Sequence, residues 1–321
     1  MTPLQICAIV IGAIVLLIVI HLCITMIAAT ITFVTTLVRR NKKKWDRSLH
    51  FKVEPQITMD GIGIEWMKEN VQYKEDVHVV NGKINLYGEY FDFGNDKCAM
   101  ILSGRTESLR YGYYFAKPYA ESGYNVLVMD PRAHGLSDGV FNTLGREESK
   151  DDLKWIDFLI KEKGIKQIVL HGICIGAAGG MYTITNPECP DCVAGIVTEG
   201  MFARFYYSMR NHLIELHTLV FPVMQCINLL YKICTGYTMR KGPIDIIDTL
   251  NKPLLMLHSK EDPYSTPDYA QKLYDKCGSK DKQLVWWPKG GHSQLRFIDT
   301  EKAVRRAGGN MRAKGGWYPG N

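Results

Sequence analysis

A cysteine lies at the centre of the segment best suited to chemistry. Residues 169–178 read VLHGICIGAA, an apolar run followed by a GxCxG pattern and small helix-forming residues. Gly172 and Gly176 would let the backbone turn sharply from a strand into a helix, exposing the central side chain at the helix N-terminus. A thiolate in that position is a competent nucleophile. The spacing predicts a nucleophile elbow at Cys174, although a tightly packed glycine-rich turn would also account for the three positions.

An acid and a base follow in the order that such an elbow requires. The apolar run at 253–258 ends in a polar turn that contains Asp262, and a second apolar run at 283–287 ends in a glycine-rich loop that carries His292. A nucleophile at a strand-to-helix elbow expects its acid after a later strand and its histidine after the last strand. Cys174, Asp262 and His292 are therefore the candidate catalytic residues.

The remaining pattern predicts a mostly parallel α/β sheet. Asn81-Gly82, between two alternating runs, is a strong signal for an opening hairpin. Apolar positions at helical spacing between 147 and 160, behind an acidic first turn, predict a crossover helix. Short apolar runs typical of strands buried on both faces occur at 98–102, 124–129, 167–170, 193–197, 253–257 and 283–287. Strand and helix thus alternate as βα units.

Two further motifs give the chain a family resemblance. Met100 to Arg105 reads MILSGR, and Asp130 to Ser137 reads DPRAHGLS. With the elbow and the histidine loop, they make residues 70–300 resemble the α/β-hydrolase superfamily, within it the serine aminopeptidase-like, monoacylglycerol-lipase-like and Bem46-like hydrolases. The resemblance implies an α/β-hydrolase fold with a helical cap at about 202–249. It also implies an oxyanion hole formed by the backbone N–H groups of Arg105 and Ile175.

The chain departs from this family pattern at two positions. Ser103 replaces a histidine that usually precedes the oxyanion glycine, and Cys174 replaces the usual serine. Dienelactone-hydrolase-like members of the superfamily also carry a cysteine there, so the exchange is compatible with activity. A cysteine enzyme of this kind favours activated esters, thioesters or lactones over amides. We expect hydrolysis of acyl esters or thioesters. Acyl transfer by the same fold and a catalytically silent, membrane-tethered binding protein are the alternatives.

The N-terminal part of the chain has a different composition. From Ile6 to Val38 no acidic or basic residue occurs apart from His21, and the run exceeds the ~20 residues that cross a bilayer. Five basic residues follow between Arg39 and Lys44. The positive-inside tendency then predicts a single-pass membrane protein with a cytoplasmic catalytic domain. A catalytic domain outside the cell is the alternative orientation.

Charge and composition divide the chain into four parts. We expect an anchor at 1–38, a basic juxtamembrane linker at 39–69, the hydrolase domain at 70–300 and a disordered, basic, glycine-rich tail at 301–321. The net charge of +6 arises in the juxtamembrane cluster and the tail, which leaves the domain weakly acidic. No nucleic-acid partner is expected. The expected partners are an acyl ester or lipid substrate and the membrane, and the oligomeric state stays open.

No motif in the chain calls for a cofactor or a metal. Cys189 and Cys192 form a CxxC pair without a second pair, so a loop is a better interpretation than a zinc site. The nine cysteines are scattered and do not indicate a disulfide framework. Three other histidines, His134, His171 and His258, are expected to have structural roles near the site.

Overall fold

The computed structural model describes residues 1–50 and 52–292. Its strands are β1 (Lys74–Asn81), β2 (Ile84–Phe91), β3 (Lys97–Leu102), β4 (Asn125–Met129), β5 (Gln167–Ile173), β6 (Val193–Glu199), β7 (Leu254–Ser259) and β8 (Lys282–Trp287). Its α-helices are α1 (Pro3–Leu37), α2 (Glu54–Glu69), α3 (Leu109–Ala120), α4 (Glu148–Lys161), α5 (Ile175–Ile184), α6 (Phe205–Glu215), α7 (Val223–Thr235) and α8 (Pro267–Lys276).

The strands form one sheet in the order β1-β2-β4-β3-β5-β6-β7-β8. The β1–β2 hairpin turns at Asn81 and Gly82, where Gly82 has a φ of +62°. β2 pairs antiparallel with β4, and from β4 to β8 every pairing is parallel. The central strands are buried along their length, as expected for a sheet covered by helices on both faces. The predicted α/β-hydrolase fold with a mostly parallel sheet is confirmed.

Helices cover both faces of the sheet and bring their apolar sides to it. On one face, Trp155 and Ile156 of α4 and Met181 of α5 pack with the strands in one buried cluster. On the other face, Phe115 of α3 and Trp66 of α2 belong to a second cluster. Because β5, β6, β7 and β8 run parallel, their carboxyl ends lie at one edge of the sheet, where ligands bind in open α/β sheets.

Helix α1 has two parts. Among the described residues it is the one helix long and apolar enough to cross a membrane, and its residues 3–24 are exposed. Near its C-terminal end, Thr25, Ala29, Phe33 and Leu37 are buried at a spacing of four, which places them on one helix face. This face packs against α7 in an apolar cluster. The C-terminal third of α1 is thus part of the folded domain.

The predicted helical cap is present between β6 and β7. It contains α6 and α7 and, after α7, short 3₁₀ turns at Pro243–Asp245 and Ile247–Thr249. Phe205 and Met209 of α6 and Ile227 of α7 join α1 in the same apolar cluster. The cap therefore consists of an inserted segment together with the end of the N-terminal helix.

The segment 39–69, predicted as a linker, packs on the domain instead. Its second half forms α2, which lies against α3. Arg39 donates to the carbonyls of Gly135 and Ser137, Arg47 donates to Asp130 at 2.7 Å, and the Trp45 ring stacks on His134. The partners are about 100 residues away in sequence, so a local charge pattern could not reveal them. The predicted disordered tail at 301–321 lies outside the described residues.

Candidate active site

Cys174 occupies the sharp turn between β5 and α5. Its φ of 52° and ψ of −107° are unusual for a residue with a side chain, and such strain is typical of a nucleophile elbow. The Cys174 N–H donates to the Glu199 carbonyl at 2.8 Å, which ties the turn to the end of β6. The side chain is partly exposed, at the N-terminus of α5. A helix N-terminus favours a thiolate over a thiol.

The two elbow glycines are required by close backbone contacts. A Cβ at Gly176 would lie 2.0 Å from the Leu102 carbonyl oxygen, and a Cβ at Gly172 would lie 2.4 Å from the Cα of Ala177. No side chain fits at such distances. Gly172 and Gly176 thus let α5 approach β3 and β5 closely enough to place Cys174 beside the loop that follows β3.

Asp262 and His292 meet beside this elbow. The Nδ1 atom of His292 lies 2.7 Å from Asp262 Oδ2, and the Asp262 carboxylate also accepts the N–H groups of Tyr264 and Ser265 at 2.9 Å. The loop that carries His292 is held at Gly290, whose carbonyl accepts the Ser259 hydroxyl. Two strand ends, those of β7 and β8, therefore fix the carboxylate and the ring against each other.

The electrostatics of this group favour a charged histidine. Burial lowers the pKa of His292, but the Cys174 sulfur, which hydrogen-bonds the ring, and the Asp262 carboxylate outweigh it and raise this pKa well above its ordinary value. Burial raises the pKa of Asp262, yet the facing His292 and the backbone donors bring it below its ordinary value. The arrangement can hold a protonated imidazole between the Cys174 sulfur and an ionised carboxylate.

The loop after β3 supplies donors and a buried acid. The Gly104 N–H donates to Glu107 Oε2 at 2.8 Å, so the turn is closed by its own side chain. The next residue, Arg105, lines the same cavity as Cys174. Ile175 is the first residue of α5, a position whose N–H has no acceptor within the helix. Both residues proposed for the oxyanion hole thus belong to segments that adjoin the sulfur.

A cavity of about 230 Å³ lies over Cys174 and His292. Most of its lining is polar and includes, besides the two reactive residues, Arg105, Glu107, Gln56, Thr106, Ser208, His212, Tyr264 and Ser265. Its apolar side comes from the cap and is lined by Phe202, Phe205 and Met209, while Thr36 is the residue that α1 contributes. A cavity with one apolar side and several polar groups around the reactive residues suits a small molecule that has both a hydrophobic portion and a polar group.

Several residues of this cavity were not predicted from the sequence, and Glu107 and Thr36 are two of them. Glu107 is 7% exposed, and burial raises its pKa to about 7 in spite of the Gly104 N–H that it accepts. Thr36 of α1 reaches the cavity, and its carbonyl accepts the Arg105 guanidinium at 3.4 Å. An acidic residue two positions after the oxyanion turn was a visible signal for Glu107. No sequence signal placed Thr36 there.

The other histidines have structural contacts. His134 stacks on Trp45 with ring centroids 4.6 Å apart, and burial lowers its pKa to about 4. His171 lies below the elbow between Tyr119 and Glu199, with contacts of 3.0 and 3.1 Å. His258 contacts the Ser265 carbonyl, and its Nε2 is 3.8 Å from Asp262 Oδ2, so His292 is the closer partner of that acid.

The structure offers no evident metal site in the part of the chain that it describes. No group of three or more His, Cys, Asp or Glu side chains is arranged there to hold an ion. Cys189 and Cys192 are free and partly exposed in the turn before β6.

Comparisons with known proteins agree with this architecture. A model of the alpha/beta hydrolase fold matches residues 100–219. The uncharacterized protein YqkD of Bacillus subtilis is 30% identical over 213 residues, which are 65% of this chain and 67% of that protein. The uncharacterized membrane protein YNL320W of Saccharomyces cerevisiae is 25% identical over 185 residues, 56% of this chain and 59% of that protein.

Solved structures share the fold at lower identity. The esterase Pf2001 of Pyrococcus furiosus superposes with a TM-score of 0.64 at 19% identity, covering 79% of this chain and 95% of the esterase. An acylaminoacyl peptidase of Pyrococcus horikoshii gives a TM-score of 0.55 at 16% identity, covering 75% of this chain and 41% of the peptidase. The sheet order, the elbow, the inserted cap and these matches together show that the chain belongs to the α/β-hydrolase family.

Proposed function

We propose that this protein is a membrane-anchored hydrolase of carboxylic esters or thioesters that works through Cys174, His292 and Asp262. The observation that carries the proposal is the geometry of the histidine. Its Nδ1 lies 2.7 Å from Asp262 Oδ2, while the same ring faces the Cys174 sulfur at the elbow. A nucleophile, a base and an orienting acid in this relation form the arrangement used for acyl transfer on several unrelated folds.

The first half of the reaction forms an acyl-enzyme. His292 takes the Cys174 proton, and the thiolate attacks the carbonyl carbon of the substrate, so that a C–S bond forms and the carbonyl oxygen becomes an oxyanion. The N–H groups of Arg105 and Ile175 then donate to that oxygen. As the intermediate collapses, the bond to the leaving alcohol or thiol breaks and His292 returns the proton to it. Asp262 stabilises the imidazolium throughout.

The second half releases the acid. Water attacks the acyl-cysteine carbonyl while His292 accepts its proton, and collapse of the second tetrahedral intermediate breaks the C–S bond. Cys174 is regenerated and a carboxylic acid leaves. A thioester intermediate is readily hydrolysed, whereas an amide nitrogen is a poor leaving group against a thiolate, so esters and thioesters are favoured over peptides.

The cavity supports an acyl substrate with a hydrophobic chain. Its apolar wall is formed by Phe202, Phe205 and Met209 of the cap, and its volume of about 230 Å³ accommodates a medium chain above the sulfur. The esterase named among the similar structures acts on esters, which agrees with this class.

Helix α1 is the proposed anchor. It is long and apolar enough to cross a bilayer, and its residues 3–24 are exposed in the structure. The yeast relative carries the name of a membrane protein. Arg40, Lys42 and Lys43 follow α1 and are exposed, so the positive-inside tendency puts the catalytic domain on the cytoplasmic side. The domain packs on the end of α1 and would therefore sit directly at the membrane surface.

The test is a panel of p-nitrophenyl esters of increasing chain length, assayed with the detergent-solubilised full chain and with Cys174→Ala and Cys174→Ser. We expect p-nitrophenolate release and an acylated Cys174 in the unaltered protein, and both should be absent from Cys174→Ala. Cys189→Ala, a partly exposed cysteine before β6, is the matched control and should retain activity. Release that persists in Cys174→Ala would contradict the proposal, as would activity that appears only in Cys174→Ser.

A further inference from the structure

The tip of the cap is an exposed apolar surface. From the last turn of α6 to the start of α7 the chain presents Ile214, Leu216, Leu219 and Phe221, whose exposed fractions are 47%, 56%, 66% and 72%. We call these four residues the cap edge. From position 212 to position 231 Glu215 is the one Asp, Glu, Lys or Arg, and His212 and His217 are the other titratable side chains apart from Cys226 and Tyr231. A contiguous exposed apolar patch of this kind marks a surface that contacts a partner or a membrane.

The cap edge lies toward the membrane end of α1. The Tyr231 hydroxyl donates to the Thr143 carbonyl at 2.9 Å, and the Asn142 N–H donates to the Leu37 carbonyl at 2.9 Å, so Tyr231 is level with the C-terminal end of α1. The eight helical steps from Val223 to Tyr231 rise about 12 Å. Because α1 ends at Leu37, the start of α7 can pack on α1 only by running back along it, toward Ala29.

Helix α1 also indicates how deep in the membrane the cap edge lies. Exposed basic residues begin at Arg40, which places the headgroups near that position. Ala29 is 11 residues earlier on the chain, or about 16 Å deeper at the rise of a helix. At this level α1 turns apolar side chains outward, and Ile27 and Ile31 are 61% and 58% exposed. The cap edge therefore continues the apolar surface of α1 at a depth where the surroundings are hydrocarbon.

We propose that the cap edge is a second membrane contact, inserted into the same leaflet that α1 enters, and that acyl chains reach the Cys174 cavity from the bilayer through this part of the cap. The inference rests on the anchor in the proposed function. It commits to lipid as the occupant, because the patch is continuous with the lipid-facing side of α1. Phe205 and Met209, on the cavity side of α6, then face the substrate while the end of the same helix faces lipid.

The test is photo-crosslinking of the full chain in phosphatidylcholine and phosphatidylglycerol vesicles, with p-benzoylphenylalanine at one position at a time. Position 221 probes the cap edge. Position 233, at the other end of α7, is the matched control because Ile233 is 71% exposed. Position 16, exposed in the first part of α1, reports on the anchor. We expect lipid adducts at 16 and 221 and a much lower yield at 233, which lies near the level of the headgroups, and an equal yield at 221 and 233 would contradict insertion of the cap edge.

The outcomes separate the two proposals. Lipid adducts at 16 without any at 221 would overturn the cap-edge contact and leave the anchor intact. The absence of lipid adducts at both 16 and 221 would overturn the anchor and the inference together. A crosslink from 221 to a second copy of the chain would show that protein covers the patch, which also contradicts the inference.

A kinetic measurement tests delivery of the substrate. Leu219→Ser should lower the hydrolysis of p-nitrophenyl palmitate in vesicles about tenfold, while hydrolysis of soluble p-nitrophenyl butyrate stays within twofold of the unaltered protein. Ile233→Ser, at the equally exposed site on α7, should change neither rate. An equal loss on both substrates in Leu219→Ser would indicate a disturbed fold and would contradict delivery through the cap edge.

Discussion

The floor and the roof of the cavity are built in different ways. The floor consists of Cys174, Asp262 and His292 at the carboxyl ends of strands, each held by backbone hydrogen bonds or close backbone contacts. The roof consists of α6, α7 and the end of α1, which meet through apolar side chains in one cluster. Directed hydrogen bonds fix the angle of each reactive group, whereas apolar packing fixes mainly shape and volume.

Because of this difference, we expect the floor to determine the rate of the chemical step and the roof to determine which substrates are accepted. A small displacement on the floor removes the alignment that acyl transfer needs, so its residues should affect turnover with every substrate. A change in the roof alters the space for the acyl chain and the contact with lipid, so its residues should affect some substrates and spare others. The four predictions below test this division, beginning with the largest expected effect.

Neutralising the Asp262 carboxylate on the floor should abolish almost all of the catalytic activity. In Asp262→Asn the ring of His292 loses its charged partner and its preferred tautomer, and we expect kcat to fall about 10⁴-fold for short and long esters alike. The alkaline limit of kcat/KM should also move to lower pH, because Asp262 helps to raise the His292 pKa. Steady-state assays across pH measure both effects. Asp268→Asn, an exposed acid on α8, is the control, and an unchanged rate in Asp262→Asn would remove this acid from the mechanism.

Adding a side-chain atom next to His292 should lower the rate even though no reactive group is replaced. A Cβ at Gly200 would lie 3.2 Å from His292 Cε1, so Gly200→Ala should displace the ring and lower kcat 10- to 100-fold. Gly236→Ala is a matched control because Gly236 also has a positive φ but has open space around it. Both variants should lose similar stability in thermal unfolding. Equal kcat values for the two would argue against a rigidly held histidine.

The roof should discriminate between chain lengths. Thr36 faces the cavity, while Thr35 is exposed, and both hydroxyls bond the carbonyl of the preceding helical turn. Thr36→Phe fills part of the apolar wall, so we expect kcat/KM for long-chain esters to fall about tenfold with little change for butyrate. Thr35→Phe should leave the chain-length profile unaltered. If Thr36→Phe lowered kcat/KM equally for all chain lengths, α1 would affect the reactive residues of the floor and not the space for the acyl chain.

The smallest expected effect on kcat/KM is that of the ionisation of Glu107, which lies between the floor and the roof. Burial raises its pKa to about 7, so the side chain is neutral below that pH and negative above it. A negative charge beside the developing oxyanion opposes it, and kcat/KM should fall about threefold as the pH rises through 7. Glu107→Gln should abolish this inflection. An inflection that persists in the variant would assign it to another group.

The floor could be predicted from the sequence because each of its parts is local. Strands buried on both faces leave continuous apolar runs, so all six such runs lie within or overlap observed strands, and the hairpin lies at Asn81-Gly82. The order of Cys174, Asp262 and His292 along the chain also fixed which strand ends carry them. That they lie within hydrogen-bonding reach of one another follows from the parallel arrangement of β5, β7 and β8, which the alternation of strands and helices implied.

Only the tertiary structure decided how the rest of the site is formed. The sequence identified α1 as an apolar helix of membrane-spanning length, but its stripe at Thr25, Ala29, Phe33 and Leu37 is indistinguishable from its other apolar faces. Its role in the cap depends on α7, about 200 residues away. The raised pKa of Glu107 depends on burial, and the packing of 39–69 depends on carbonyls near Ser137. Burial and long-range contacts are properties of the packed chain, so local residue types do not determine them.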